Sequence, residues 1–221
     1  LAAALGVPAL TGLALANTYT VTSNGDAGSG TCAATCTLRD AVAAANANSG
    51  ADTIAFASTL SGDTIVLDLA GKDHIVITDS LTIQGPGANL LTVSGGNVAS
   101  THKGGIFEFT GSSLTVSDIT LADGNSSDRG GALSFSNYGQ LTLTRAAIQD
   151  CYAQSFGGGI YKNSGTLSVA YSTISGNHAG NFGGGFSSNY SVTSLVDSTI
   201  SGNSAGGFGG GIYGRMSGSG L

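Results

Sequence analysis

The sequence predicts an all-β solenoid of about 26 residues per coil, closed at its N-terminal end by a single helix. The first observation is a period. Leu143, Val169, Leu195 and Leu221 follow one another at one constant interval, the length of a coil. Ile148, Ile174 and Ile200 keep that interval, as do Phe156, Phe182 and Phe208, and Gly159, Gly185 and Gly211. Several positions locked to one period mark a structural repeat in which each copy stacks on the last. The second observation is composition. Of the 221 residues, 9% are charged, 41% are apolar and 37 are glycine, against roughly 25% charged residues and about 7% glycine in an ordinary domain. No collagen-like triplet is present, so the glycines serve turns and close backbone approach. The third observation is a run of short β-type segments from Ala51 onward: DTIAF, TIVLD, HIVIT, LTIQG and LLTVSG. Gly, Asp, Ser or Asn separates them, as expected of strands joined by tight turns.

Residues 1–16, LAAALGVPALTGLALA, are an apolar run ending in Ala14-Leu15-Ala16. They read as the later part of a secretory signal peptide with an A-x-A cleavage site, which predicts export and a mature chain starting at Asn17. The alternative is a buried strand or helix of the fold. The run is short for a membrane span of about 20 residues, and no membrane insertion is expected of it.

Residues 17–50 are read as an N-terminal cap. Thr18 to Ser23 alternates like a strand, and Thr37-Leu-Arg-Asp-Ala-Val-Ala-Ala-Ala-Asn46 is the convincing helix of the chain. Thr37 caps it and Asp40, three residues on, makes a weak capping box. Leu38, Val42 and Ala45 form one apolar stripe. An amphipathic helix laid over the first rung shields its open strand edges and apolar core.

Residues 51–221 are the coils. One coil reads LTLTRAAIQDCYAQSFGGGIYKNSGT (141–166) and the next LSVAYSTISGNHAGNFGGGFSSNYSV (167–192). Three short strands per coil are expected, near Leu141, Ile148 and Ile160. Alternation places Leu141, Leu143 and Ile148 inward, with Thr142 and Thr144 outward. Coils rising about 4.8 Å bring equivalent residues into contact. Phe156, Phe182 and Phe208 then form an aromatic stack, expected inside, and Asn177 and Asn203 an asparagine ladder at a turn. The Gly-Gly-Gly segments fall where a Cβ would crowd the next coil or φ must be positive. Leu221 matches Leu195 in mid-strand, so a C-terminal continuation is expected.

The chemistry is sparse. Cys32 and Cys36, in an exported chain, are expected to pair as a disulfide. The metal alternative requires four ligands, and His74, His102 and His178 stand at no partnering spacing. Cys151 reads as a small buried residue. Net charge is −6 and the basic residues are scattered, which argues against nucleic-acid and anionic-membrane partners. Asp118, Arg145, Tyr171 and Asp197 share one outward column, and Asp118 with Arg145 reads as a surface ion pair. Asp123, Asp128 and Asp150 lie on neighbouring loops and offer at most weak calcium binding; no cofactor is expected. Two outward hydroxyl columns are candidate binding surfaces: Thr115, Thr142, Ser168 and Ser194, and Thr120, Thr173 and Thr199, the second interrupted by Ala147.

Cys36-Thr37-Leu38-Arg39-Asp40-Ala41, running on to Asn46, resembles the CSLREA motif of exported bacterial repeat proteins, with Thr for its Ser and Asp for its Glu. LTIQGPGANLLTVSGG (81–96) is similar to the stretch that follows in such proteins. Gly130-Gly131-Ala132-Leu133 and the glycine triplets resemble the repeats of polymorphic outer-membrane proteins and autotransporter passengers. The resemblance covers nearly everything after Asn17. It implies a right-handed parallel β-helix, exported and often surface-attached, and it carries over no catalytic residue. Three functions follow as expectations. The first is a non-catalytic, adhesin-like scaffold at the cell surface or secreted, with glycans or cell-surface components as partners. The second is a polysaccharide lyase or glycosidase. The third is an ice binder using the Ser/Thr columns.

Overall fold

The computed structural model describes residues 15–68, 74–96 and 105–215. Residues 1–14 of the expected signal segment, His102 and Leu221 lie outside them. The fold is a parallel β-solenoid: every ladder among the described strands is parallel. The ladders make an eleven-stranded, a six-stranded and a four-stranded sheet.

Each clean coil has four sides rather than three. In the coil that starts at Gln140 they are Gln140–Thr144, Ala147–Gln149, Tyr152–Ala153 and the beginning of Ile160–Ala170. We call them the first to fourth faces. The strand expected near Ile160 does not stop before Leu167. Ile160–Ala170 and Phe186–Val196 each turn the corner between the fourth face and the next first face without a break, so those two faces form one eleven-stranded sheet. Ser164 and Tyr190 make that corner with φ of 66° and 53°.

The other corners obey the same rule at fixed register. Asp118, Arg145, Tyr171 and Asp197 all have positive φ at the corner between the first and second faces. Asp123, Asp150, Gly176 and Gly202 do so between the second and third faces, and Gly130, Gly157, Gly183 and Gly209 between the third and fourth. A left-handed residue costs about 1–3 kcal/mol when it is not glycine, and Asp tolerates it better than most. In the triplets the first glycine supplies the positive φ. The second and third have no room for a Cβ: at Gly158 it would overlap the carbonyls of Gly184 and His178, and at Gly185 that of Gly211.

Inside, Leu114, Leu141 and Leu167 stack, as do Val116, Leu143 and Val169, and Leu121, Ile148 and Ile174; all are buried. The regular period holds only late. On the first face Thr53, Thr82, Thr115 and Thr142 are in register although the chain between them lengthens and shortens from coil to coil. Only with Ser168 and Ser194 does the spacing become constant.

The cap explains its own motif. The helix runs Leu38–Ala47 with the complete Thr37/Asp40 capping box, a cap of the type worth about 1 kcal/mol. Leu38, Ala41, Val42 and Ala45 are buried against the first strands. Cys36 is bonded to Cys32, and closing so short a loop is worth about 2 kcal/mol in the chain-entropy picture. Arg39 reaches Asp26 at 2.6 Å, whose other oxygen accepts from the Asp68 N–H at 2.8 Å, tying the cap to the coil that begins at Asp52. The Asp40 carboxylate gathers the N–H groups of Ser29, Gly30 and Thr37 and the Thr37 hydroxyl. Burial pushes its pKa up, but these hydrogen bonds outweigh burial and hold it below the usual carboxylate range.

Candidate functional site

The fourth face brings aromatic, basic, acidic and amide side chains onto one surface. Its strands, Ile75–Ile77, Phe107–Phe109, Leu133–Phe135, Ile160–Asn163, Phe186–Asn189 and Ile212–Arg215, pair in that order. Alternation points Ile75, Phe107, Leu133, Ile160 and Phe186 into the core. It turns Val76, Glu108, Ser134, Tyr161, Ser187 and Tyr213 outward in one column. One residue past the next inward position, Asn163, Asn189 and Arg215 form a second outward column.

A third column borders the face at the glycine corner. Arg129, Phe156, Phe182 and Phe208 are bridged coil to coil, with ring centroids 5.4 Å apart from Phe156 to Phe182 and 5.8 Å from Phe182 to Phe208. This stack lies outside, not inside as expected. Phe156 and Phe182 are half-buried, and Phe208 is 72% exposed. The reason is steric. A Cβ at Gly159 would crowd the Ile148 side chain and the Asn177 amide, and one at Gly185 the Asn203 amide, so the inside of this corner is already filled. Tyr161 and Tyr213 lean back onto the stack, at 6.2 Å from Phe156 and 4.8 Å from Phe182.

Between these columns lies a cleft of about 240 Å³ lined by Arg129, Phe156, Tyr161, Asn163, Asn189, Tyr190, Tyr213 and Arg215. The Arg129 guanidinium sits over the Phe156 and Tyr161 rings, donates to the Tyr161 hydroxyl at 3.1 Å and meets Asp128 at 3.3 Å. Tyr161 is buried beneath it, whereas Tyr190 stands exposed at the rim. Arg215 lies over Tyr190, 5.8 Å from the ring centre. Among the described residues, Asn189 Oδ1 and Ser187 Oγ are buried without a hydrogen-bond partner. Buried polar atoms are rarely left so.

Arg129 also borders a smaller hollow of about 130 Å³ with His74, Glu108, Asp128, Ser134 and Ser136. There His74 Nε2 meets Glu108 Oε2 at 2.5 Å. The two are distant in sequence and lie in the irregular early coils, where no period could have signalled the pair. The columns of Tyr161/Tyr213 and Asn163/Asn189/Arg215 do follow the repeat, but the repeat alone does not say which side of the wall they face.

The predicted residues fare unequally. Thr115, Thr142, Ser168 and Ser194 stand in one outward column on the first face, which Thr18, Thr53 and Thr82 extend to seven hydroxyl residues. Thr173 and Thr199 are exposed on the second face in register with Ala147 and Thr120. Thr120 is not available there: it is 5% exposed and its hydroxyl donates to the Ala88 carbonyl at 2.6 Å, because the loop before Leu91 folds over it. Asn177 and Asn203 form the expected ladder: Asn177 Oδ1 accepts from the Cys151 N–H and Asn203 Oδ1 from that of Asn177. Asp118 and Arg145 make a two-pronged ion pair at 2.6 and 2.7 Å. It lowers the Asp118 pKa and raises that of Arg145. Their column is a left-handed corner, not part of a flat strand.

Cys151 is buried, and burial pushes its thiol up to about 12, the state of a packing residue rather than a nucleophile. Among the described residues no group of three or more His, Cys, Asp or Glu converges as a metal site, so Asp123, Asp128 and Asp150 make no such cluster. No helix of the described residues is long and apolar enough to cross a membrane. In comparison with known proteins, no family model, curated protein or solved structure matches this chain.

Proposed function

We propose that this chain is an exported, adhesin-like β-helical protein, secreted or displayed at the cell surface, that binds glycans without turning them over. The observation that carries the reading is the cleft on the fourth face. It joins aromatic side chains to a few convergent polar groups, the usual make-up of a ligand site, on a wall of stacked strands that holds them fixed. Sugar rings present C–H surface and hydroxyls together, and Tyr190, Tyr213 and Asn189 offer partners for both. Export accords with the Cys32–Cys36 disulfide.

The test is an array of neutral and acidic glycans probed with the whole chain, run beside an assay for new reducing ends. Binding without product release is the expected result. Product release favours the second reading, a polysaccharide-cleaving enzyme. For that reading the His74–Glu108 pair beside Asp128 is the supporting observation, since glycoside cleavage employs carboxylates in pairs. The seven-residue hydroxyl column keeps ice binding as a third reading. Inhibition of ice recrystallisation with no glycan bound would favour it.

A further inference from the structure

Resting on the glycan-binding reading, we propose that the fourth-face cleft selects carboxylated glycans, with Arg129 and Arg215 each receiving a carboxylate of the sugar chain. The arginines of the described residues are committed unequally. Arg39 is engaged with Asp26 in the cap, and Arg145 is held by both oxygens of Asp118. Arg129 touches Asp128 only at 3.3 Å, in a pair about half exposed, an arrangement worth little in water. Arg215 rests on the Tyr190 ring, and among the described residues no carboxylate lies within ion-pair distance of it. Among the described residues the cleft is thus lined by two guanidinium groups and no acidic residue, in a chain whose net charge is −6. A local reversal of sign at a concave site marks the charge of what it receives.

Guanidinium is the group best matched to a planar carboxylate, through two parallel N–H donors. Rings already beneath both arginines hold them in place and limit the freedom lost on binding. Asn189 lines the same cleft, and its unpartnered amide oxygen accepts from a ring hydroxyl once the side chain turns toward the ligand. Guanidinium for the charge and amide for the hydroxyls fit a uronate sugar.

The aromatic geometry separates this ligand from a single-stranded nucleic acid, the other anion that favours basic and aromatic grooves. Bases require open ring faces on which to stack. Here Phe156, Phe182, Phe208 and Tyr213 stack on one another, which leaves mostly edges and hydroxyls toward the cleft. The hydroxyls, with the Asn163 and Asn189 amides that line the cleft, suit the O–H groups of a sugar. A glycan laid along the solenoid axis also advances by one pyranose ring in close to the coil rise of about 4.8 Å.

The experiment measures binding of the whole chain to alginate, a linear polyuronate, beside its propylene glycol ester, dextran sulfate, oligothymidylate and a neutral glucan. The ester keeps the sugar backbone and removes the charge. Alginate should bind best, and esterification should weaken it by about tenfold or more, the effect of losing one hydrogen bond to a charged group. Arg215→Gln, at an exposed position, and Arg129→Gln should each cost a similar factor. Arg215→Gln should do so with Tm unchanged, which keeps the test valid if Arg129→Gln loosens the stack. Equal binding of the ester, or equal or tighter binding of dextran sulfate or oligothymidylate, overturns the carboxylate assignment. If neutral glucan is held and alginate is not, this inference falls and the glycan-binding reading stands. If no glycan is held at all, both fall.

Discussion

Lys162 occupies a column of inward positions that is otherwise apolar before it: Ile77, Phe109 and Phe135 precede it in register and Ser188 follows. The residue is 0% exposed, donates to the Asn137 carbonyl at 3.0 Å and lies 5.1 Å from the centre of the Phe135 ring. One carbonyl and one ring compensate a buried ammonium poorly. Burial therefore lowers its pKa from 10.5 to about 8. The unfolded chain holds that proton more tightly than the folded one, so stability should rise as pH climbs from about 8 toward 10.5. Below about 8 the folded state carries the buried charge in full. Chemical denaturation across that window should show the rise, and Lys162→Met should abolish it while raising stability at neutral pH. A flat wild-type profile would mean that water or another group solvates the ammonium. Nothing in the sequence separated this lysine from a surface one, since alternation alone does not tell a strand residue which side it faces after a corner.

At the scale of the element, the asparagine ladder shows how a repeat position can share a task without being uniform. Asn177 is wholly buried. It accepts from the Cys151 N–H and donates to the Ile148 carbonyl and to Asn203 Oδ1. Cys151 is its equivalent one coil earlier, and there the Gly124 N–H is left to a sulfur at 3.4 Å. Asn177→Ala should strand two backbone groups, the Cys151 N–H and the Ile148 carbonyl, each costing about 1–3 kcal/mol. Tm should fall by several degrees, at roughly 2–4 °C per kcal/mol for a chain of this size. Cys151→Asn should do the reverse, extending the ladder by one rung at nearly constant volume, with Tm unchanged or higher. Thermal melts of the two variants check both directions. A fall for each would show that the ladder ends at Cys151 because the coil below cannot accept an amide.

At the scale of the molecule, each coil touches only its neighbours, so stability is a sum of coil and interface terms rather than one global core. The described coils differ sharply in cover. Leu114, Leu141 and Leu167 lie between other coils and are buried, whereas Leu195, Ile212 and Phe208 in the outermost described coil are 41%, 42% and 72% exposed. In a protein of these 221 residues hydrogen exchange should therefore be slowest through residues 114–174 and fastest through 192–215. Alginate should slow exchange at Tyr213–Arg215, where the cleft draws one wall from that outermost coil. Uniform protection along the chain would contradict the coil-by-coil picture.

The repeat period, the glycine corners, the helix with its Thr37/Asp40 box, the Cys32–Cys36 pair and the asparagine ladder were all legible in the sequence, because each depends on local chemistry or on fixed spacing. The irregular early coils hid their register, since the unequal steps from Thr53 to Thr82 and from Thr82 to Thr115 offer no period to read. The sequence by itself determined that the chain stacks as a solenoid and which residues recur from coil to coil. Only the tertiary structure decided which side of the wall the residues at the glycine corner and on the fourth face occupy. Room behind each corner is set by what its own coil and the next place there: Ile148 and Asn177 fill the space beside Gly159, inside the corner that carries Phe156, the loop at Ala88 buries Thr120, and the fourth face brings Arg129, Tyr161, Asn189 and Arg215 into one cleft.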